Sequence, residues 1–212
     1  CVNRIPKSYT AFLDKHGLLG ARIGVVRALF GKETEEDLAV NAVVNAAIRE
    51  MEALGATVID PVIIPQLSEV LDREKYPFEP FFEWKFAIRD FLAKMGPSCP
   101  VHSLEEVMAS GKTHPAIQQV LATSVQAESL EDPNYLRTVA VCHPLARQSV
   151  LRALADHNLE ALAYPPIQRP PARLGALQQG TLPTGLGGRS GFPSIVIPAG
   201  FTAGGLPVGI EL

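Results

Sequence analysis

The glycine-rich stretch at residues 185–193 holds the residue types best suited to contact a ligand. It reads Gly-Leu-Gly-Gly-Arg-Ser-Gly-Phe-Pro. Glycines leave backbone N–H groups open to an anion, and Arg189 could add a positive charge. The spacing does not match a dinucleotide-binding pattern, because Ser190 stands where a glycine is needed, and Phe192 excludes a nucleophile elbow for the same reason. The stretch therefore predicts a loop that leads into a buried strand, with a substrate-facing loop as the alternative.

Histidines and cysteines predict no metal site and no disulfide framework. The five histidines are His16, His102, His114, His143 and His157. None lies four residues from another, and no cluster with cysteines or carboxylates has the spacing of a metal site. The three cysteines are Cys1, Cys99 and Cys142. Because an odd and widely spaced set is typical of a reducing compartment, we expect a cytoplasmic protein.

Composition excludes several classes of function. Hydrophobic residues make up 47% of the 212 residues and charged residues 19%, with a formal net charge of −3. A nucleic-acid-binding surface normally shows a basic excess, so we expect no nucleic-acid partner. No apolar run approaches the ~20 residues of a membrane-spanning helix, and the N-terminus lacks the apolar region of a signal peptide. We therefore expect a globular chain with a substantial core and no membrane association.

The first structural unit is a strand–helix–strand segment over residues 21–60. Residues 21–27 are short and β-branched, as in a strand. Thr34 and Asp37 then resemble a capping box for a helix that ends at Gly55. Residues 57–60 predict the second strand, and such units normally have parallel strands. A nucleotide-binding fold is a further alternative for this unit, but its glycine fingerprint is missing.

The rest of the chain predicts a helical layer over 67–157 and proline- and glycine-rich strands and loops over 159–212. Capping signals mark helices near 103, 115 and 132, where Asp132 precedes Pro133. Apolar strands follow at 159–164, 194–197 and 206–212, the last two joined by a glycine-rich turn. We therefore predict an α/β fold, with a mixed sheet flanked by helices in a single domain over 1–212.

Four segments resemble the amidase signature family. Residues 9–14 and 17–25 look like the stretch that follows the catalytic core of that family, and 54–61 resembles its next strand. The segment Leu-Glu-Ala-Leu-Ala-Tyr-Pro at 159–165 is similar to its "DALVYP" strand. Residues 191–202, followed by 205–210, resemble its C-terminal signature. The segments occur in the family's order and extend over nearly the whole chain.

This resemblance implies hydrolysis of an amide by a Ser–Ser–Lys triad, without a metal ion or cofactor. Nothing in residues 1–212 resembles the family's Gly-Gly-Ser-Ser-Gly-Gly core, so no catalytic residue is assigned here. The family also normally continues past Leu212 with a closing helix. We expect the chain to be the C-terminal portion of a larger amidase domain, inactive alone, with the catalytic core on a partner segment or subunit.

The resemblance also implies that this portion contributes scaffold and part of the pocket for a small-molecule amide. The substrate-binding residues it suggests are Tyr164, Pro166, Gln168, Arg189 and Ser190. The alternative is a non-catalytic module that binds a small molecule or pairs with another subunit through an exposed sheet edge.

Overall fold

The computed structural model describes residues 5–180 and 185–212, and its centre is a parallel three-stranded sheet. The strand order is β2–β1–β3, with β1 at Arg22–Val25, β2 at Thr57–Ile59 and β3 at Ala161–Ala163. Both neighbours of β1 run parallel to it. The predicted parallel strand–helix–strand unit is therefore confirmed.

Helix α1 (Glu35–Ala53) forms the crossover between β1 and β2. The Thr34 side chain accepts a hydrogen bond from the Asp37 N–H at 3.2 Å, and the Asp37 carboxylate accepts one from the Thr34 N–H at 3.0 Å. This is the predicted capping box, in which each residue satisfies an N–H of the other. Gly55 follows the helix with φ at +96°, a conformation that glycine adopts without steric cost.

The predicted helical layer is present. Its elements are α2 (Leu67–Val70), α3 (Pro80–Lys94), α4 (Leu104–Ala109), α5 (Pro115–Val125), α6 (Pro133–Arg137) and α7 (His143–Asp156). A π-helical turn at Thr138–Cys142 joins α6 to α7, so the long helix predicted from Asp132 onward is continuous but locally widened. Pro144 has no N–H with which to make the α-helical hydrogen bond to the preceding turn. The wider π-helical turn accommodates the proline without that hydrogen bond.

The glycine-rich stretch is helical rather than a loop, which corrects our prediction. Helix α8 spans Gly185–Ser190. Glycine at 187 allows the helix backbone to approach closely, since an added Cβ would lie 3.2 Å from Ser194 Oγ. The buried side chain of Arg189 fixes the other side of the helix. Tertiary packing thus outweighs the low helix propensity of glycine.

A β-hairpin completes the sheet. Strands β4 (Val196–Phe201) and β5 (Pro207–Glu211) pair in antiparallel fashion, with a register shift between Pro198 and Gly200. The Tyr164 N–H donates to the Glu211 carbonyl at 3.1 Å, and the Glu211 N–H donates back at 2.9 Å. This bridge joins the hairpin to the end of β3, so the predicted mixed sheet flanked by helices is confirmed.

Candidate functional site

A cavity of about 410 Å³ lies between α7, β3, α8 and the segment that leads into β4. Its lining is mainly apolar and includes Val150, Leu154, Leu162, Leu186, Phe192 and Ile195. Tyr164, Ser190 and Ser194 are among its few polar lining residues. Mostly apolar cavities with a few fixed polar groups are typical of small-molecule sites. The cavity is therefore the candidate site of this chain.

Tyr164 and Glu211 form a buried pair beside the cavity. They are 4% and 1% exposed, and the Tyr164 hydroxyl donates to Glu211 Oε1 at 3.0 Å. Burial and the adjacent Glu211 carboxylate raise the pKa of Tyr164 well above its usual range. Tyr164 is therefore a protonated donor and not a base. The second carboxylate oxygen, Glu211 Oε2, has no hydrogen-bond partner among residues 5–180 and 185–212.

Gly187 lets helix α8 lie directly against this pair. A Cβ added at Gly187 would lie 3.5 Å from Glu211 Oε1 as well as close to Ser194. The lack of a side chain at 187 thus brings the helix backbone, the Ser194 hydroxyl and the Glu211 carboxylate to one wall of the cavity. A polar group of a ligand could be recognised at this wall.

Ser190 lines the same cavity, but its hydroxyl is engaged in ending α8. Its Oγ donates to the Gly187 carbonyl at 3.2 Å and accepts from the Phe192 N–H at 3.4 Å. No lysine or histidine is among the described residues that line the cavity. A serine hydroxyl needs an adjacent base to act as a nucleophile. The Ser190 hydroxyl is therefore held within α8 and is not activated as a nucleophile by a lysine or histidine, and the only charged side chain among the described lining residues is that of Glu160.

Arg189 points away from the cavity and is 4% exposed. Its guanidinium donates to the carbonyls of Val70, Tyr76 at 2.6 Å and Pro77 at 3.2 Å. Its Nε atom lies 3.3 Å from Glu79 Oε1, an ion-pair contact without hydrogen-bond alignment. The positive charge of Arg189 is thus committed to fixing the chain that leads from α2 to α3.

His143 and Cys142 lie next to the contact between Arg189 and Glu79. His143 Nε2 lies 3.0 Å from the same Glu79 Oε1. Cys142 is fully buried, and burial raises the pKa of its thiol. The thiol is therefore protonated and packs in the core, as the sequence predicted.

Gln168 lies at a second cavity, of about 440 Å³, which is also lined by residues that follow β1, among them Phe30 and Gly31. Its Nε2 donates to the Leu29 carbonyl at 3.1 Å. Asp37 and Arg169 also line this cavity and are joined by a contact of 3.0 Å. Burial alone would raise the pKa of Asp37, but hydrogen bonds from the Glu33 N–H, Arg169 and the Thr34 N–H lower it below its ordinary value. The charges of Asp37 and Arg169 are thus paired with each other at the wall of this cavity.

Pro166 packs over the hairpin, since a Cβ added at Gly209 would lie 3.4 Å from its Cγ. Of the five predicted site residues, the structure brings Tyr164 and Ser190 to one cavity, Gln168 to another, and leaves Arg189 and Pro166 outside both.

The sequence analysis did not predict the buried carboxylate of Glu211 beside Tyr164. One signal was available, because Glu211 is the only charged residue after Arg189.

Neither a metal cluster nor a membrane span is found over residues 5–180 and 185–212. Within those ranges no group of three or more His, Cys, Asp or Glu side chains could hold a metal ion. None of the helices described there has both the length and the apolar character needed to cross a membrane.

Comparisons with known proteins identify related sequences, although no family model matches the chain. The chain is 30% identical over 220 residues to a glutamyl-tRNA(Gln) amidotransferase subunit of Myxococcus xanthus, a match that covers 96% of this chain and 43% of that protein. It is 23% identical to a probable amidase of Arabidopsis thaliana, with 96% and 36% covered. The chain thus spans less than half the length of these relatives.

Solved structures agree with these matches. The peptide amidase of Stenotrophomonas maltophilia superposes with a TM-score of 0.73 at 26% identity, covering 99% of this chain and 43% of that one. A bacterial aryl acylamidase of the amidase signature family shares the fold at 19% identity and a TM-score of 0.55. The fold is therefore that of amidase enzymes. The chain is related to the amidase signature family, and its partial coverage of the relatives is consistent with a C-terminal portion.

Proposed function

We propose that this chain forms the scaffold and part of the substrate pocket of an amidase signature hydrolase. The protein would convert a carboxamide and water to a carboxylate and ammonia or an amine. The observation that carries the proposal is a similarity to amidases over 99% of the chain at TM-scores up to 0.76. The Ser–Ser–Lys core that the resemblance implies would come from a segment or subunit outside these 212 residues.

The cavity suggests how the chain would contribute to catalysis. Its apolar walls would hold a hydrophobic part of the substrate and exclude water. The wall at Gly187 and Ser194 would orient the polar end of the substrate, while Tyr164 stays fixed by Glu211. Positioning of this kind lowers the entropic cost of bringing an amide to a nucleophile held elsewhere. The assignment of Tyr164, Pro166, Gln168, Arg189 and Ser190 as substrate-binding residues remains a proposal, best supported for Tyr164 and Ser190 by the shared cavity.

The apolar lining favours a carboxamide that carries a hydrophobic group. The solved relatives include a peptide amidase, so an amide at the end of a peptide with an apolar last residue is the first substrate to test. Glutamine is the contrasting small polar amide. We also propose a cytoplasmic location, supported by Cys99 and Cys142, which are both free thiols.

The test uses the protein captured from its natural source with an antibody raised against this chain. Its intact mass is measured, and ammonia release is followed with both amides. A serine-reactive fluorophosphonate probe is applied in parallel, and the purified 212-residue chain serves as the control. We expect hydrolysis and labelling by the captured protein and neither by the control. Hydrolysis by the purified control chain, or a captured protein that neither hydrolyses nor labels, would refute the proposal.

The second candidate is a non-catalytic module that binds a small molecule or another subunit. It is favoured by the absence of lysine and histidine from the described residues that line the cavity and by the engagement of the Ser190 hydroxyl. In this case the captured protein has the mass of the chain, 22.8 kDa, binds an apolar amide in calorimetry and leaves it intact.

A further inference from the structure

The cavity of the candidate site has a buried negative charge behind one of its walls. Glu211 is 1% exposed, and its Oε1 atom would lie 3.5 Å from a Cβ added at Gly187, a residue that lines the cavity. Glu211 itself is not a lining residue. The carboxylate is therefore separated from the cavity by little more than the backbone of α8, because no side chain at 187 lies between them.

Little in the surroundings of Glu211 neutralises its charge. Over residues 5–180 and 185–212, the one donor to its carboxylate is the neutral Tyr164 hydroxyl, and Oε2 has no hydrogen-bond partner. No ion pair within those ranges involves Glu211. Buried charges are normally paired or held by several hydrogen bonds. Because this carboxylate has a single neutral donor in a region of low dielectric constant, its field extends into the adjoining cavity.

The lining of the cavity supplies no compensating cation among the residues that the structure describes. Its only charged side chain there is that of Glu160, which is exposed. Arg147 of α7 lies close by, with its guanidinium 5.0 Å from the centroid of the Phe192 ring and a hydrogen bond of 3.4 Å to the Ser190 carbonyl. Arg147 is exposed, so water and salt screen its charge far more than that of Glu211. The potential inside the cavity is therefore negative.

We infer that Glu211 makes the cavity selective for a neutral hydrophobic amide over the corresponding carboxylate, an inference that rests on the proposed function. Hydrolysis of a carboxamide by one water molecule breaks the C–N bond, forms a C–O bond and gives a carboxylate and an ammonium ion at neutral pH. The apolar lining holds both molecules alike, because their hydrophobic parts are the same. The carboxylate alone is repelled by the buried Glu211, since like charges brought together in a desolvated site are unfavourable. The cavity would therefore retain the substrate and expel the product.

Charge, rather than a direct hydrogen bond, is the property that distinguishes the two molecules. Glu211 Oε2 is shielded from water, so an amide N–H of a ligand does not reach it unless the wall at Gly187 and Ser194 shifts. A neutral ester, which has no N–H donor, should then bind as the amide does.

An NMR titration of the purified 212-residue chain tests this selectivity with three probes. Phenylpropanamide, methyl phenylpropanoate and phenylpropanoate share one hydrophobic group and differ in charge and in N–H donors. Binding is read from the methyl resonances of Leu162 and Leu186, which line the cavity. We expect the carboxylate to bind about tenfold more weakly than the amide, because two like charges roughly 10 Å apart at an effective dielectric constant of about 20 repel by about that factor.

The ester separates charge from hydrogen bonding. We expect it to bind within about threefold of the amide, a difference small beside the electrostatic effect. Ester binding as weak as that of the carboxylate would overturn the inference, because the missing N–H donor would then explain the selectivity. Equal binding of amide and carboxylate, or no binding of the amide, would overturn it as well.

Two glutamine variants locate the charge that is responsible. Glu211→Gln keeps an acceptor for the Tyr164 hydroxyl and removes the buried charge, so amide and carboxylate should bind within about threefold of each other. Glu160→Gln removes the exposed carboxylate of the same cavity and should lower the selectivity about twofold at most. The reverse order of effects would assign the selectivity to Glu160 and refute the role of Glu211. If Glu211→Gln shows no cooperative melting transition, the three-probe comparison in the wild-type chain decides the question.

Product inhibition separates this inference from the proposed hydrolase. In the source-length protein, added phenylpropanoate should inhibit hydrolysis of phenylpropanamide at about tenfold lower concentration in Glu211→Gln than in wild type. Selective binding by the chain together with no hydrolysis by the captured protein would retain the role of Glu211 and refute the hydrolase. Hydrolysis with equal product inhibition in wild type and variant would retain the hydrolase and refute the role of Glu211.

Discussion

Replacing Arg189 by methionine should be among the most destabilising changes in this chain. The guanidinium is 4% exposed and bonds the carbonyls of Val70, Tyr76 and Pro77. Methionine fills much of the volume but removes every donor. It leaves these carbonyls without their donor and deprives the Glu79 carboxylate, which is 12% exposed, of its buried cation, so that Glu79 keeps only the contact with His143 and a 4.0 Å ion pair with Arg73. Removing one partner of a buried ion pair costs about 3 to 5 kcal/mol.

Arg189→Lys should cost less, about 1 to 2 kcal/mol, because an ammonium keeps the charge but cannot span all the carbonyl acceptors. The control is Arg152→Met, since Arg152 is 70% exposed in a surface ion pair with Asp156. Exposed pairs contribute about 0 to 1 kcal/mol.

The free energy of unfolding is measured by urea denaturation of the purified chain. With a slope of about 1 to 3 kcal/mol per molar urea, Arg189→Met should lower the midpoint by about 1 M or more. A double-mutant cycle with Glu79→Gln should show a coupling above about 0.5 kcal/mol. The reasoning is wrong if Arg189→Met and Arg152→Met destabilise the chain equally, or if the cycle shows no coupling.

Three further predictions concern the two cavities. Because the pKa of Tyr164 is raised on folding, the protonated tyrosine contributes its full stabilisation below the unfolded pKa of about 10, and this contribution falls at higher pH by up to about 1.4 kcal/mol per pH unit. Tyr164→Phe should flatten this alkaline decrease in the free energy of unfolding. An unchanged decrease would contradict the raised pKa of Tyr164. Because the pKa of Asp37 is lowered on folding, the ionised carboxylate stabilises the fold above about pH 4, and this stabilisation is lost as the pH falls through the folded pKa. The difference in the free energy of unfolding between wild type and Asp37→Asn should therefore shrink on acidification. A constant difference would contradict the stabilising hydrogen bonds of Asp37. Gly187→Ala should lower stability by about 1 kcal/mol or less, because the crowding of the new Cβ, 3.2 Å from Ser194 Oγ, is offset by about 1 kcal/mol of helix propensity that alanine gains over glycine. Hydrogen exchange should still show faster opening of α8, and unchanged exchange would mean that the Ser194 side chain moves aside freely.

Much of the fold was predictable because its signals are local. The capping pair Thr34 and Asp37 specifies the start of α1 within four residues, and the glycine-rich turn before Leu206 specifies the hairpin. Helix α8 was not predictable in this way. Gly187 and Gly188 disfavour a helix by propensity, and only the close contact with Ser194 and the burial of Arg189 make it favourable.

The site was less predictable, because sequence neighbours separate in space. Tyr164 and Gln168 are four residues apart, yet the two side chains line different cavities. Conversely, Tyr164 and Glu211 are 47 residues apart and share a hydrogen bond. Such pairs arise from the bridge between the end of β3 and β5, which no local pattern encodes.

Two of the buried charged residues, Arg189 and Glu211, indicate where function is located. Arg189 has carbonyl and carboxylate partners around its guanidinium, which is the arrangement of a structural clamp. Glu211 has one donor, Tyr164, and an oxygen with no partner among the described residues. An unsatisfied buried polar group costs about 1 to 3 kcal/mol or more, so folded proteins retain it mainly where a further group completes it. The Glu211 carboxylate lies beside the cavity, whereas the Arg189 cluster lies away from it, and the Arg189 Nε, which also lacks a hydrogen bond, contacts Glu79 at 3.3 Å. Ligand and partner experiments should therefore begin at Tyr164 and Glu211 rather than at Arg189.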